Sequence, residues 1–71
     1  MVNVDKLKGR IVEQRSSVTE LAKQIGVDPA TLYRKLGNSE SFTIREADAI
    51  VQALSLSVDD AVAIFFAQYV S

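Results

Sequence analysis

The chain has 71 residues, a net charge of −1, and neither cysteine nor histidine. This length predicts a single small domain over residues 1–71, and the missing residue types exclude disulfides and the usual zinc sites. Stability must therefore come from helix packing, helped by capping, or from a partner, and we expect no metal or cofactor. The N-terminal segment is too charged for a signal peptide, and the most apolar run, 61–67, is too short to span a membrane. These features predict a cytoplasmic protein that does not contact membranes.

Charge is distributed unevenly along the chain. Residues 1–36 contain seven basic and four acidic residues, whereas residues 37–71 contain one basic and five acidic residues. A basic N-terminal half is typical of a nucleic-acid-binding face, since phosphates attract lysine and arginine. The alternative is a chance asymmetry of surface charge.

The first predicted element is a helix from about Val4 to Arg15, with Asn3 as a candidate cap. Its apolar positions Val4, Leu7 and Ile11 recur at helical spacing, and Val12 is a further candidate for the buried face.

Two short helices with a glycine between them are predicted from Val18 to Gly37. Ser17 and Glu20 form an S-x-x-E capping box for the first of them, and Gly26 suits the left-handed conformation that ends a helix. Asp28 then caps the second helix, and Pro29 occupies its first position, where no backbone N–H is needed. This pattern predicts a helix-turn-helix.

The remaining chain predicts a polar loop at 37–41 and two more helices. Phe42 is expected in the core, Thr43 and Glu46 form a capping box for helix four, and Ser57 and Asp60 repeat that signal for helix five. The expected inward stripe of helix five consists of Val58, Val62, Phe65 and Tyr69. With five helices and no strand, the predicted fold class is all-α.

The residues from Leu21 to Leu36, especially Gly-Val-Asp-Pro-Ala-Thr-Leu-Tyr-Arg-Lys-Leu at 26–36, resemble the Cro/CI-type (XRE) helix-turn-helix domain of phage repressors. The resemblance implies a five-helix lambda-repressor-like DNA-binding domain. The short length, the Tyr-Arg-Lys-Leu segment and the Ile-Phe-Phe ending at 64–66 are similar to small Cro-like proteins of temperate phages of Gram-positive bacteria. Some proteins of that class are antirepressors, or modulators of repression, which bind the phage CI repressor.

Two segments depart from the family pattern. The leading turn of the third helix holds Asp28, Pro29 and Ala30 where base-reading members often have polar side chains. The end of that helix is Leu36-Gly37-Asn38 in place of Glu-Asn-Gly. Both departures leave the fold intact and weaken the case for tight, sequence-specific DNA binding.

The resemblance places Arg34 on the outward face of helix three, where arginine can pair bidentately with guanine. The alternative is a surface arginine paired with Asp28 or Glu40. Tyr33 is expected either to reach a phosphate or to pack toward helix one. The full set of candidate DNA contacts is Ser17, Thr19, Ala30, Thr31, Tyr33, Arg34, Lys35 and Asn38.

The segment 61–70 is apolar on nearly every side, so one inward stripe leaves apolar residues over. Surplus apolar surface on a small domain marks an interface, with a buried helix in a thin core as the alternative. The predicted partner contacts are Ile64, Phe66 and Val70.

Two functions follow from these patterns. In the first, the protein regulates the lysis–lysogeny switch of a phage by binding double-stranded operator DNA, together with or against the CI repressor. In the second, it is an antirepressor that covers the DNA-binding surface of the CI repressor and binds little DNA itself. A homodimer through helix five is compatible with either function. The sequence contains no catalytic motif. The adjacent carboxylates Asp59 and Asp60 are expected at the start of a helix, where the helix dipole favours acidic side chains. We expect no enzyme activity and no small-molecule substrate.

Overall fold

A computed structural model describes residues 2–38 and 42–69, without the side chains of Asn38 and Gln68. The described residues form five α-helices and a final 3₁₀ turn: α1 (Val4–Glu13), α2 (Val18–Ile25), α3 (Pro29–Asn38), α4 (Ile44–Leu54), α5 (Val58–Phe65) and Ala67–Tyr69. They contain no strand, which confirms the predicted all-α, five-helix fold. Helix α2 packs against both α3 and α4, while α1 packs against α5.

Each helix begins one residue after the residue that the sequence predicts as its cap. A side-chain oxygen of the cap accepts a hydrogen bond from a backbone N–H of the first turn, which would otherwise lack a partner. These caps are Asn3, Ser17, Asp28, Thr43 and Ser57. Only Thr43 is part of a complete capping box, in which the Glu46 carboxylate also accepts from the Thr43 backbone N–H.

A single apolar core lies between the helices. Its most deeply buried side chains come from all five: Leu7, Leu21, Leu32, Ile50, Leu54 and Ile64. Ala22 is fully buried where α2 meets its neighbours, and Phe42 packs against the core as predicted. Val12, in contrast, is exposed and does not belong to the buried face of α1.

Two predicted helix ends are wrong. Helix α1 stops at Glu13 and not at Arg15, because Arg15 takes a left-handed backbone conformation with φ of 55°. Helix α3 continues through Gly37 to Asn38, which the sequence places in a loop. The rest of that predicted loop, residues 39–41, lies outside the described residues.

The inward face of α5 also differs from the predicted one. Ile64 is fully buried and Phe65 is nearly so, whereas Val58 and Tyr69 are 79% and 78% exposed. Because the Ile64 side chain is buried, its predicted role as a partner contact is wrong. Its backbone carbonyl accepts a 2.7 Å hydrogen bond from the backbone N–H of Asn3, which joins α5 to the start of α1. The helix ends at Phe65, so Tyr69 does not continue the predicted inward stripe.

A polar contact joins α1 to the start of α5. The Arg10 guanidinium donates two hydrogen bonds of 3.0 Å to the two carboxylate oxygens of Asp60 and a third, of 2.6 Å, to Glu13. The hydrogen bonds from Arg10 lower the pKa of Asp60, despite the opposing effect of partial desolvation. Asp60 thus serves as an inter-helix anchor and not as the reciprocal half of a capping box with Ser57.

Candidate nucleic-acid interface

The turn between α2 and α3 is closed by a glycine in the left-handed conformation. Gly26 has φ of 74° and ψ of 29°, and the Val27 N–H donates to the Ala22 carbonyl at 2.9 Å. The Gly26 N–H donates to the Lys23 carbonyl, which completes a Schellman motif. This geometry confirms the predicted helix-turn-helix joint and sets the direction in which α3 leaves α2.

The start of α3 is closed to an approaching anion. The Asp28 carboxylate accepts a 2.8 Å hydrogen bond from the Ala30 backbone N–H, and Pro29 has no N–H to offer. The leading turn of α3 therefore caps itself and carries a negative charge at the end where many helices bind phosphate.

The outward face of α3 lies opposite the buried side chains of Leu32 and Leu36. Ala30, Arg34 and Gly37 share that face by helical spacing, with Tyr33 on its flank, and all four are exposed. Tyr33 is 55% exposed, so its ring does not pack into the domain. Only Tyr33 and Arg34 carry polar groups on this described surface, and the small residues beside them allow a flat partner to approach the helix closely.

The other candidate DNA contacts are spread over the start of α2 and the rest of α3. Ser17 and Thr19 are exposed at the first turn of α2, and Thr31 is half-buried on α3. The Ser17 oxygen accepts from the Glu20 N–H, so its own O–H is still able to donate. The side chain of Asn38 lies outside the described part of the molecule, as does Glu40, one of the two alternative partners of Arg34.

Lys35 does not point outward with the other candidates. Its ammonium lies 2.5 Å from a carboxylate oxygen of Glu46 and 5.7 Å from the centre of the Phe42 ring. The side chains of Lys35 and Glu46 are only 13% and 17% exposed. Lys35 therefore forms a contact between α3 and α4 and is not assigned to the phosphate contacts.

Electrostatics in this contact favour the charged pair. Burial by itself raises the pKa of Glu46, but the hydrogen bonds from Lys35 and from the Thr43 backbone outweigh it, so the pKa lies below its usual value. Glu46 is therefore ionised near neutral pH, where it holds the Lys35 ammonium.

Ion pairs reduce the positive charge that the N-terminal half can offer to DNA. Arg10 is paired with Asp60 and Lys35 with Glu46, so two of its seven basic residues are matched by acidic residues of the C-terminal half. The same half also contains Lys6, Lys8, Arg15, Lys23 and Arg34.

The family model of the Cro/C1-type HTH DNA-binding domain matches residues 6–65, which is most of the chain. The protein belongs to this family. A Cro/C1-type domain is a DNA-binding regulator of transcription and not an enzyme, which agrees with the expected lack of catalysis. No curated protein and no solved structure matches the chain significantly.

Two features of this Cro/C1-type domain are not predicted by the sequence pattern. Gly37 joins the outward face of α3 because that helix is longer than its polar ending suggests. Glu46 becomes the partner of Lys35 although its sequence signal is that of a capping residue. Among the described residues, no helix is long and apolar enough to cross a membrane, and no group of side chains is suited to hold a metal ion.

Proposed function

We propose that this Cro/C1-type protein regulates the lysis–lysogeny switch of a temperate phage in the bacterial cytoplasm. It binds double-stranded operator DNA through α3, together with or against a CI-type repressor. The observation that carries the proposal is the exposed face of α3, where Arg34 stands between the small residues Ala30 and Gly37.

Each side chain on this face has a defined chemical role in the proposal. Arg34 donates two hydrogen bonds to O6 and N7 of a guanine, and the Ala30 methyl group contacts a thymine methyl. Ser17, Thr19, Thr31 and Tyr33 donate to phosphates, which positions the helix without reading the sequence. A single polar base reader predicts a short and permissive recognition sequence.

Selection of duplexes from a random library tests the proposal. The wild-type protein should enrich a motif with a guanine at one dominant position, and Arg34→Ala should lower the discrimination between that motif and random DNA by about 1–3 kcal/mol. Fluorescence anisotropy with the selected duplex and a scrambled duplex measures the difference.

Arg45→Ala is the matched control, because Arg45 is an exposed arginine on α4, outside the two helices of the motif. It should leave the discrimination unchanged. A uniform loss on both duplexes for Arg34→Ala makes Arg34 a phosphate contact, and no loss on either duplex contradicts DNA reading by α3.

A second candidate function is antirepression through a protein contact. Val58, Val62, Phe66 and Tyr69 form an exposed apolar stripe along α5 and the turn that follows it. The rings of Phe66 and Tyr69 lie 6.5 Å apart between their centres, so they offer one aromatic patch. Exposed aromatic residues of this kind are frequent anchors of protein interfaces. Val70, the remaining predicted contact, lies outside the described residues.

Phe66→Ser tests this candidate. Because Phe66 is 52% exposed, the variant should keep its helical circular dichroism while binding of a CI-type repressor, or self-association, becomes weaker. The expected loss is about 2 kcal/mol if Phe66 is an interface anchor. Analytical ultracentrifugation and a pull-down from nuclease-treated lysogen lysate measure the two contacts.

Val12→Ser is the matched control, since Val12 is an exposed apolar residue on α1 and outside the stripe. It should leave both contacts intact. Unfolding of Phe66→Ser places Phe66 in the core and removes the main support for the second candidate.

A further inference from the structure

The contact between Lys35 and Glu46 joins the outward-facing helix α3 to the start of α4. Lys35 lies one residue after Arg34, on the side of α3 that faces α4, and its ammonium is 2.5 Å from the Glu46 carboxylate. Both side chains are largely shielded from solvent. A shielded ion pair is weakened less by salt than an exposed one, so it persists under the conditions in which DNA is bound.

Helix α3 is also held to the domain by apolar packing. It packs against α2, and its side chains Leu32 and Leu36 are buried in the common core. Apolar contacts of this kind resist separation of the helices but tolerate small rotations. A charged hydrogen bond has a much narrower range of favourable geometry.

The partner of Lys35 is itself firmly held. The Glu46 carboxylate accepts a 2.9 Å hydrogen bond from the Thr43 backbone N–H, so the α4 capping box fixes its position. The Phe42 ring below the Lys35 ammonium packs edge-to-face on Phe65 of α5, with 5.8 Å between the ring centres. The ammonium therefore rests on groups that belong to the body of the domain.

From this geometry we infer that Lys35 is a positioning residue, which sets the rotation of α3 through Glu46 so that Arg34 meets the DNA base at the right angle. The inference rests on the proposed binding of operator DNA through α3. In this role Lys35 contacts no phosphate itself, and Glu46 favours DNA binding although its side chain is acidic.

Glu46→Gln gives the sharpest test, because the two explanations predict opposite signs. If electrostatics alone governed DNA binding, removing an acidic side chain would raise affinity. If Glu46 positions α3, the variant should bind the selected duplex about three- to tenfold more weakly. Asp48→Asn is the matched control: it removes the charge of an exposed acidic residue on the same helix and should not weaken binding.

Lys35→Met separates positioning from phosphate contact. Methionine keeps an unbranched apolar side chain over Phe42 but removes the charge. We expect lower affinity with an unchanged slope of log affinity against log salt concentration, whereas loss of a phosphate contact makes that slope less negative by about 0.9. The double variant should be no weaker than the more affected single variant, because both changes break one interaction.

Hydrogen exchange in the absence of DNA provides an independent readout. In both single variants, amides in the second half of α3 should exchange about threefold faster or more, while those of α1 are unchanged. If the wild type selects no duplex, the proposed function fails and the positioning of a DNA reader fails with it. If the wild type binds, each of three results overturns the positioning role alone. These are an unchanged or higher affinity of Glu46→Gln, a less negative salt slope for Lys35→Met, and unchanged hydrogen exchange in α3.

Discussion

Raising the salt concentration from about 50 to about 200 mM is expected to lower the affinity of this protein for its selected duplex by about two to three decades. The reason is counterion release, which scales with the number of phosphates that lysine and arginine neutralise. Arg10 and Lys35 are paired with acidic residues, and Arg34 is assigned to a base. We expect about four phosphate contacts from the other basic residues of the N-terminal half, Lys6, Lys8, Arg15 and Lys23, and a fifth if Arg34 contacts a phosphate.

Anisotropy titrations at several salt concentrations measure this slope. Tight binding that scarcely changes with salt contradicts an interface built on these four or five cations. The acidic C-terminal half also matters here, because its repulsion of DNA lowers the affinity that the cations can reach. We therefore expect weak binding by the isolated protein even at low salt.

The second large effect is expected in the turn that joins α2 to α3. Gly26→Val should lower the free energy of unfolding by about 1–3 kcal/mol, because a β-branched residue is strained at φ of 74°. An added Cβ at Gly26 meets no atom within 4 Å, so this cost comes from the backbone and not from a clash. In a domain of this size, each 1 kcal/mol shifts the melting temperature by about 4–8 °C.

Gly9→Ala is the matched control for that measurement. Gly9 lies inside α1, is exposed, and likewise has no atom within 4 Å of an added Cβ, but its φ is not left-handed. Alanine should therefore leave stability unchanged or raise it by up to about 1 kcal/mol, since glycine is a poor helix former. Equal melting temperatures for Gly26→Val and the wild type would show that Gly26 is not essential to the turn.

The helix starts and the turn were predictable because they depend on neighbours in sequence. Ser17, Thr43 and Ser57 each accept from a backbone N–H three residues later, so the residues that make the contact stand together in the printed chain. Gly26 and Pro29 carry their own backbone preferences in the same way. Such local signals were enough to predict the all-α fold, and the resemblance to the Cro/CI-type family added the placement of Arg34 on the exposed side of α3.

The face that α5 turns inward was decided by tertiary structure. Nearly every residue of that segment is apolar, so periodicity cannot distinguish one side from the other. The contact between the Asn3 N–H and the Ile64 carbonyl, together with the packing of Phe65 on Phe42, selects the buried side. These partners are remote in sequence, and the stripe that contains Val62 and Phe66 is exposed as a result.

The pairing of the charged side chains could likewise not be predicted from the sequence. Lys35 and Arg10 look like any other basic residues of a DNA-binding half, and Glu46 and Asp60 look like capping residues. Only the folded chain brings Lys35 to Glu46 across 11 positions and Arg10 to Asp60 across 50. Capping is local, so the order of the residues is enough to locate the helix starts. Which cations are paired depends on contacts between helices that only folding brings together.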